Sequence, residues 1–415
     1  MKSLLFSAFM LFLVMSCSSD DDNTIITVPQ CAKPTNVSAS NITYESASLS
    51  WDDTNATSYT VEFGPSGFSL GMGNSTNSNT NNLSLMGLTA NTTYDVYVMA
   101  NCSSSNTSMY TDAFSFTTAA PLVVPEFMPT LSELNLFIGD IEDLTPSPYA
   151  FEYELSTPLF TDFAHKQRII ALPQGTTMEY VDDGFPDFPN KTVIAKTFYY
   201  FNDERDESLG KKIIETRILI KNDGVWELGN YKWNDDQTVA VLDNTTGTVP
   251  VSFIDADGES FDINYVIPSA NQCFDCHNSY DEVTPIGPKL RTMNFNNQLQ
   301  NFIDAGHLTN LTDPNTVSVL PNWLDESYTL EERARAYMDV NCAHCHSDGG
   351  FCEVQTLLRL PYETPFADSY IFEVRDQIDT RMSTYNPPYT MPLIGTTMVH
   401  DKGYSLIRSY LQTLQ

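Results

Sequence analysis

The sequence predicts a multidomain chain: an N-terminal all-β sandwich, a second antiparallel β region, and a mainly helical C-terminal region built around two cysteine motifs. Three observations carry this reading. Residues 29–119 hold about seven short strands of alternating polarity, the pattern of half-buried antiparallel strands. Residues 131–270 repeat such strands with glycine turns and without βαβ alternation. Residues 271–415 carry Cys273-Phe274-Asp275-Cys276-His277 and Cys342-Ala343-His344-Cys345-His346, flanked by helical signals. With 415 residues there is ample chain for several cores.

At the N-terminus, residues 1–16 hold Lys2 and an apolar run from Leu4 broken only by Ser7. That run is too short for a permanent span and has the flanks of a signal peptide. Val14-Met15-Ser16-Cys17 resembles the lipobox of bacterial lipoproteins, with Met15 bulkier than that pattern prefers. The resemblance implies that Cys17 becomes the acylated first residue. Residues 17–28 then form an acidic tether, whose Ser18-Ser19-Asp20-Asp21-Asp22 resembles an export tag for the cell surface. No later stretch is long and apolar enough for a transmembrane helix, so an acyl chain is the expected bilayer contact.

Within residues 29–119, Ala47, Leu49 and Trp51 share one face at period two, while Ser46, Ser48 and Ser50 take the other. Tyr59, Val61 and Phe63 repeat the pattern, as do Tyr94, Val96 and Val98. Trp51 and the segment Leu88-Thr89-Ala90-Asn91-Thr92-Thr93-Tyr94 resemble the core tryptophan and tyrosine corner of a fibronectin type III domain. Its expected role is that of a spacer, with adhesion or partner binding as the alternative, since fold alone supplies no site.

Residues 120–130 form a proline-punctuated linker. Strands are then expected over 168–172, 192–201, 213–221, 225–228, 249–254 and 261–267, with hairpin turns at Asn222-Asp223-Gly224 and Asp257-Gly258. No glycine-rich phosphate loop accompanies them, which argues against a dinucleotide enzyme. Basic residues are scarce here, so His165, Lys166, Arg168, Lys196, Arg205 and Arg217 are candidates for binding carboxylates of a cofactor, or else ordinary surface pairs. Asp203, Glu204 and Asp206 crowd one loop and read as a solvated turn.

Both pentads spell C-x-x-C-H, the attachment signature of c-type haem. Two thiols add across the vinyl groups as thioethers, and the adjacent histidine ligates the iron. Chance would place only about 0.002 such pentads in a chain of this cysteine and histidine content. Zinc suits C-x-x-C pairs but does not explain a histidine directly after each. Cys273, Cys276, Cys342 and Cys345 are thus expected to hold two covalent haems, with His277 and His346 as proximal ligands. Of eight cysteines, Cys31 and Cys102 are then left for each other in an oxidising compartment, and Cys352 stays a buried free thiol.

A first haem segment covers 271–325 and a second, cytochrome c-like domain 326–415. After the first pentad, Gly287-Pro288-Lys289-Leu290 resembles the G-P-x-L segment of class I cytochromes c, in which a backbone carbonyl orients the proximal histidine. A short helix is expected from Asn297 to Ala305. The capping box Thr329-Leu330-Glu331-Glu332 starts a helix leading into the second pentad, and Leu406, Ile407, Tyr410 and Leu411 mark a closing helix after Gly403. Met391, on a loop with Pro387, Pro388 and Pro392, is the expected distal ligand of the second haem, with His400 and Met398 in reserve. For the first haem, Met293, His307, His400 and His165 are the candidates, alongside an open sixth position.

Residues from about 127 onward resemble a family of di-haem c-type cytochromes of the bacterial envelope. The resemblance rests on both pentads, Thr157 to Asp162, Glu215-Thr216-Arg217, Ala334 to Tyr337 and Arg381 to Thr384. It implies two haems and a redox role, and with the N-terminal segment the expectation is an electron carrier held as an outer-membrane lipoprotein facing the periplasm or the exterior. Its rivals are a peroxidase or haem-linked oxidoreductase, and a surface binding module carrying haems. A net charge of -32 excludes nucleic acid and suits a basic redox partner protein.

Overall fold

A computed structural model describes residues 30–414. The chain divides into two compact units, one through Ala119 and one from Ala120. The signal segment, the acidic tether and Cys17 lie outside the described residues. Among those described, no helix is long and apolar enough to cross a membrane.

The first unit comprises β1 (Ser38–Ser40), β2 (Ser46–Ser50), β3 (Ser58–Pro65), β4 (Asn74–Ser78), β5 (Asn82–Met86), β6 (Thr93–Ser103), β7 (Asn106–Thr107) and β8 (Phe114–Thr117). One antiparallel sheet runs β1-β2-β5; the other runs β4-β3-β6-β7, with β8 also on β6. The alternating residues meet as expected: Ala47, Leu49 and Trp51 pack with Val61, Val96 and Val98. Trp51 stands edge-on to Tyr59 at 5.3 Å. The Tyr94 hydroxyl accepts the Thr89 N–H at 2.9 Å, forming the corner. Cys31 and Cys102 form a disulfide across 71 residues. Cys31 lies in the irregular lead-in before β1. Closing so long a loop stabilises by restricting the unfolded chain, so reduction is expected to cost this unit about 2–5 kcal/mol, read from denaturant unfolding with and without reductant.

The second unit begins with β9 (Ala150–Glu152), β10 (His165–Ala171), β11 (Met178–Glu179), β12 (Val193–Phe201), β13 (Lys211–Asn222), β14 (Val225–Trp233) and β15 (Ala240–Leu242). Six of these form a sheet ordered β15-β14-β13-β12-β10-β9. The β13–β14 turn puts Asp223 at φ 48° and Gly224 at φ 86°, the twist a two-residue hairpin requires. Period two divides the side chains. Ile169, Ala171, Val193, Ala195, Ile218 and Ile220 pack on Leu131, Leu134 and Leu136. Ile170, Ile194 and Leu219 face the other way, onto Met293, Leu299 and Phe302. A sheet covered on both faces explains the nearly continuous apolar runs of these strands. The hairpin β16 (Gly247–Ile254) and β17 (Ser260–Ile267) packs Val251, Phe253 and Tyr265 on Phe198 and Tyr200 of β12.

Then follow α1 (Ala270–Cys276), β18 (Asn278–Ser279), β19 (Glu282–Val283), α2 (Leu290–Met293), α3 (Gln298–Asp304), β20 (Leu308–Thr309), α4 (Leu330–Asn341), α5 (Phe366–Ser369), α6 (Ile371–Met382) and α7 (Asp401–Thr413). The expectation of a mainly helical region is corrected here: helices are a minority, joined by long irregular loops. Prolines such as Pro285, Pro288, Pro387 and Pro392 remove the donors a helix needs. The closing helix also starts earlier than expected, so Gly403 lies in its first turn. A Cβ there would stand 2.3 Å from the Tyr337 hydroxyl oxygen, so glycine is what lets α4 and α7 approach.

Candidate metal centre

The second pentad caps α4. Thr329 and Glu332 form the expected capping box, the Thr329 N–H reaching Glu332 at 2.8 Å, and Cys342 ends the helix. The next turn is tight: the His346 N–H donates to the Cys342 carbonyl at 3.0 Å. Cys342, Cys345 and His346 then line a cavity of about 210 Å³ with Leu358, Leu360, Val374 and Ile378. Met391 lines the same cavity. Its loop is fastened by the Met391 N–H to the Arg381 carbonyl at 2.9 Å and by Arg381 Nε to the Tyr389 carbonyl at 2.9 Å. Burial, with His344 and Arg381 adding to it, lowers His346 to about 4, so the imidazole is neutral, the form that binds a metal. Its Nδ1 is buried without a hydrogen-bond partner.

The first pentad lies on α1, a helix the sequence reading missed although Ser269 and Gln272 spell a capping box. The helix puts Cys273 and Cys276 one turn apart on one face. His277 Nδ1 lies 2.8 Å from the Thr284 carbonyl. The expected orienting carbonyl thus comes from Thr284, just upstream of the Gly287-Pro288 segment. A carbonyl can only accept, so Nδ1 carries the hydrogen and Nε2 is left free to ligate. Burial, then the Lys196 cation, lowers His277 to about 3. Two cavities border this pentad. One of about 50 Å³ is lined by Cys273, Cys276, His277, Lys196 and Arg217. The other, of about 260 Å³, is lined by Cys276, Lys166, Arg168, Lys196 and Lys289.

Strand register assembles the basic wall. Arg168 pairs across to Lys196, and Lys196 to Arg217, so three cations stand in a row on one sheet face. Like charges directly opposite destabilise a sheet. Their acidic partners are incomplete: Arg168 meets Glu154 at 3.1 Å and Arg217 meets Glu215 at 2.5 Å. Lys166 and Lys196 donate to backbone carbonyls rather than carboxylates, of Ala164 at 2.9 Å and Ile286 at 3.4 Å, and Lys166 also stands over the Phe198 ring at 5.6 Å. Burial, then Arg168 and Arg217, lowers Lys196 to about 7. An under-neutralised row of cations in so acidic a chain fits a group bearing carboxylates, as haem propionates do. His165 and Arg205 turn elsewhere, to Glu204 and Asp203.

The other distal candidates sit away from these cavities. Met293 is fully buried in the core beneath the sheet. His307 stacks on Phe151 at 4.0 Å. His400 stacks on Phe160 at 4.1 Å and lies 3.0 Å from the Tyr337 hydroxyl. Met398 packs against the β16–β17 cluster. Cys352, a half-buried free thiol, lines the second pentad's cavity. The sequence reading passed over His344, which lines all three cavities. Its one signal was a second histidine inside the pentad. Asp162 was also missed. Fully buried, its carboxylate accepts the Thr397 N–H at 2.8 and 2.9 Å and the Thr397 hydroxyl at 2.7 Å, tying the Met391 loop to the turn before β10.

Comparison with known proteins bears on the first unit. No curated protein matches the chain. Similar solved structures include the FN5 domain of Drosophila Lar, at 20% identity over 23% of this chain and 100% of that one, TM-score 0.19. The fn3 domain of human contactin 1 shares 16% identity over 25% and 93%, TM-score 0.19. The fn3 domain of the human collagen alpha-1(XX) chain shares 23% over 23% and 90%, TM-score 0.20. Residues 32–116 match the fibronectin type III family and form a domain of that kind.

Proposed function

We propose that the second unit is a di-haem c-type cytochrome that passes electrons between partner proteins, held at the bacterial envelope by lipid on Cys17. The observation that carries this reading is the cavity where Cys342, Cys345, His346 and Met391 converge within apolar walls. Haem supplies a one-electron iron couple when bound. The chain's residues have separate duties around it. Each cysteine pair attaches, and each following histidine offers a neutral ring nitrogen. Leu358, Leu360 and Ile378 keep water from the second site, while Lys196, Arg168 and Arg217 neutralise carboxylates at the first. Met391 would raise the second site's potential above that of a site lacking a thioether. The fibronectin type III domain serves as a spacer.

The deciding assay is an alkaline pyridine haemochrome, expected to return two haems per chain; one or none ends this reading. Met391→Ala is then expected to lower the second haem's potential by on the order of 0.1 V and to abolish its methionine-to-iron near-infrared band. A second reading, reaction with a small ligand, is favoured by the first pentad's cavities, which none of Met293, His307, His165 and His400 lines. Carbon monoxide uptake at one haem of the reduced wild-type protein would support it, and no uptake would leave electron transfer alone.

A further inference from the structure

We propose that the two attachment motifs hold their haems edge to edge, with Cys276 and Cys345 at the shared boundary and His344 between them, so that the pair is one electronically coupled unit. This rests on reading the pentads as haem sites. Its basis is that Cys276, Cys345 and His344 bring their sulfur and nitrogen atoms within 4.8 Å of one another, although Cys276 and Cys345 belong to different pentads 69 positions apart. Each thiol would become a thioether sulfur separated from its macrocycle by a single carbon. Sulfurs this close therefore bring the two ring peripheries nearly into contact. All three cavities border Cys276 and His344, so the spaces on the two sides meet at this point.

The surroundings hold the two segments in fixed relation. Just past the first pentad, the Tyr280 N–H donates to the Gly349 carbonyl, just past the second, at 2.8 Å. Gly349 has φ +73°, and a Cβ on it would stand 2.5 Å from the Tyr280 ring. Arg291, following the first pentad, donates to Asp339 of α4 at 2.9 Å. His344 Nδ1 has no hydrogen-bond partner, though buried. It adds a polarisable ring where the two sites adjoin.

Circular dichroism in the Soret region tests this on the full chain, alongside haem stoichiometry. Strong transitions on touching chromophores split into a bisignate couplet, and two ferric irons so close broaden each other's low-spin resonance. The expected result is two haems per chain, a bisignate Soret couplet and an oxidised-state resonance integrating to fewer than two spins. In Cys273→Ser/Cys276→Ser the couplet should vanish completely. The wild-type spectra stand without that variant if it fails to fold. Two haems with a single-signed Soret band and two full, independent resonances would overturn the edge-to-edge arrangement and leave the di-haem reading intact. Zinc bound at one per chain with no covalent haem would overturn both and assign Cys276, His344 and Cys345 to a metal site of their own.

Discussion

With serine at both Cys342 and Cys345, covalent haem is expected to fall from two per chain to one, and the region around α4, α6 and α7 to lose stability with it. Serine cannot form the thioethers, so stoichiometry reports attachment directly. The stability effect follows from what walls the cavity. Leu358, Leu360, Val374 and Ile378 line it and also belong to, or pack against, the core that joins the three helices. A void costs about 24 cal/mol per Å³. For about 210 Å³ that is at most on the order of 5 kcal/mol, comparable to the whole stability of a small domain. Pyridine haemochrome on acid-extracted protein measures the first effect, and thermal unfolding followed by far-ultraviolet dichroism the second. Two haems surviving extraction would place attachment elsewhere.

Asp339→Ala is expected to destabilise the second unit by about 3 kcal/mol, toward the low end of what breaking a buried ion pair costs. Asp339 and Arg291 are both buried, with side chains 2% and 3% exposed, and meet at 2.9 Å. Asp339 also accepts the Tyr362 N–H at 2.9 Å. Its loss strands a guanidinium and an amide in the interior. Glu363, which also pairs with Arg291, is 59% exposed and only partly compensates. Because Asp339 lies on α4 and Arg291 on α2, the substitution should also loosen the two pentad segments from each other. Urea unfolding gives the cost. A change below about 1 kcal/mol would mean that the pair behaves as a surface salt bridge.

Local pattern made much of the architecture readable before any coordinates. Alternation at Ala47, Leu49 and Trp51 gave the sandwich core, and Asp223-Gly224 gave the β13–β14 hairpin of the second unit. The box Thr329–Glu332 gave the start of α4. Each of these is decided within a few residues, where backbone sterics and one or two hydrogen bonds settle the conformation. Helix α6 was not anticipated, although Ile371, Val374, Ile378 and Met382 keep helical spacing. The cation row could not be read in the same way. Arg168, Lys196 and Arg217 are neighbours only because of strand register, and register is fixed by cores far along the chain. The same holds for Met293, whose place in the interior depends on how α2 packs beneath the sheet, and for the Thr284 carbonyl, which replaces the one anticipated near Pro288.

The clasp between Asp162 and Thr397 dictates where this polypeptide can be cut. A recombinant fragment ending in the loop before Thr397 would look harmless, since the cleavage falls outside every helix and strand. It would nonetheless leave an acid sealed inside the protein with the Thr397 N–H and hydroxyl that bind it gone. Useful boundaries therefore lie at the junction after Ala119 and beyond the end of α7, and deletion libraries should spare everything between residue 162 and that helix end.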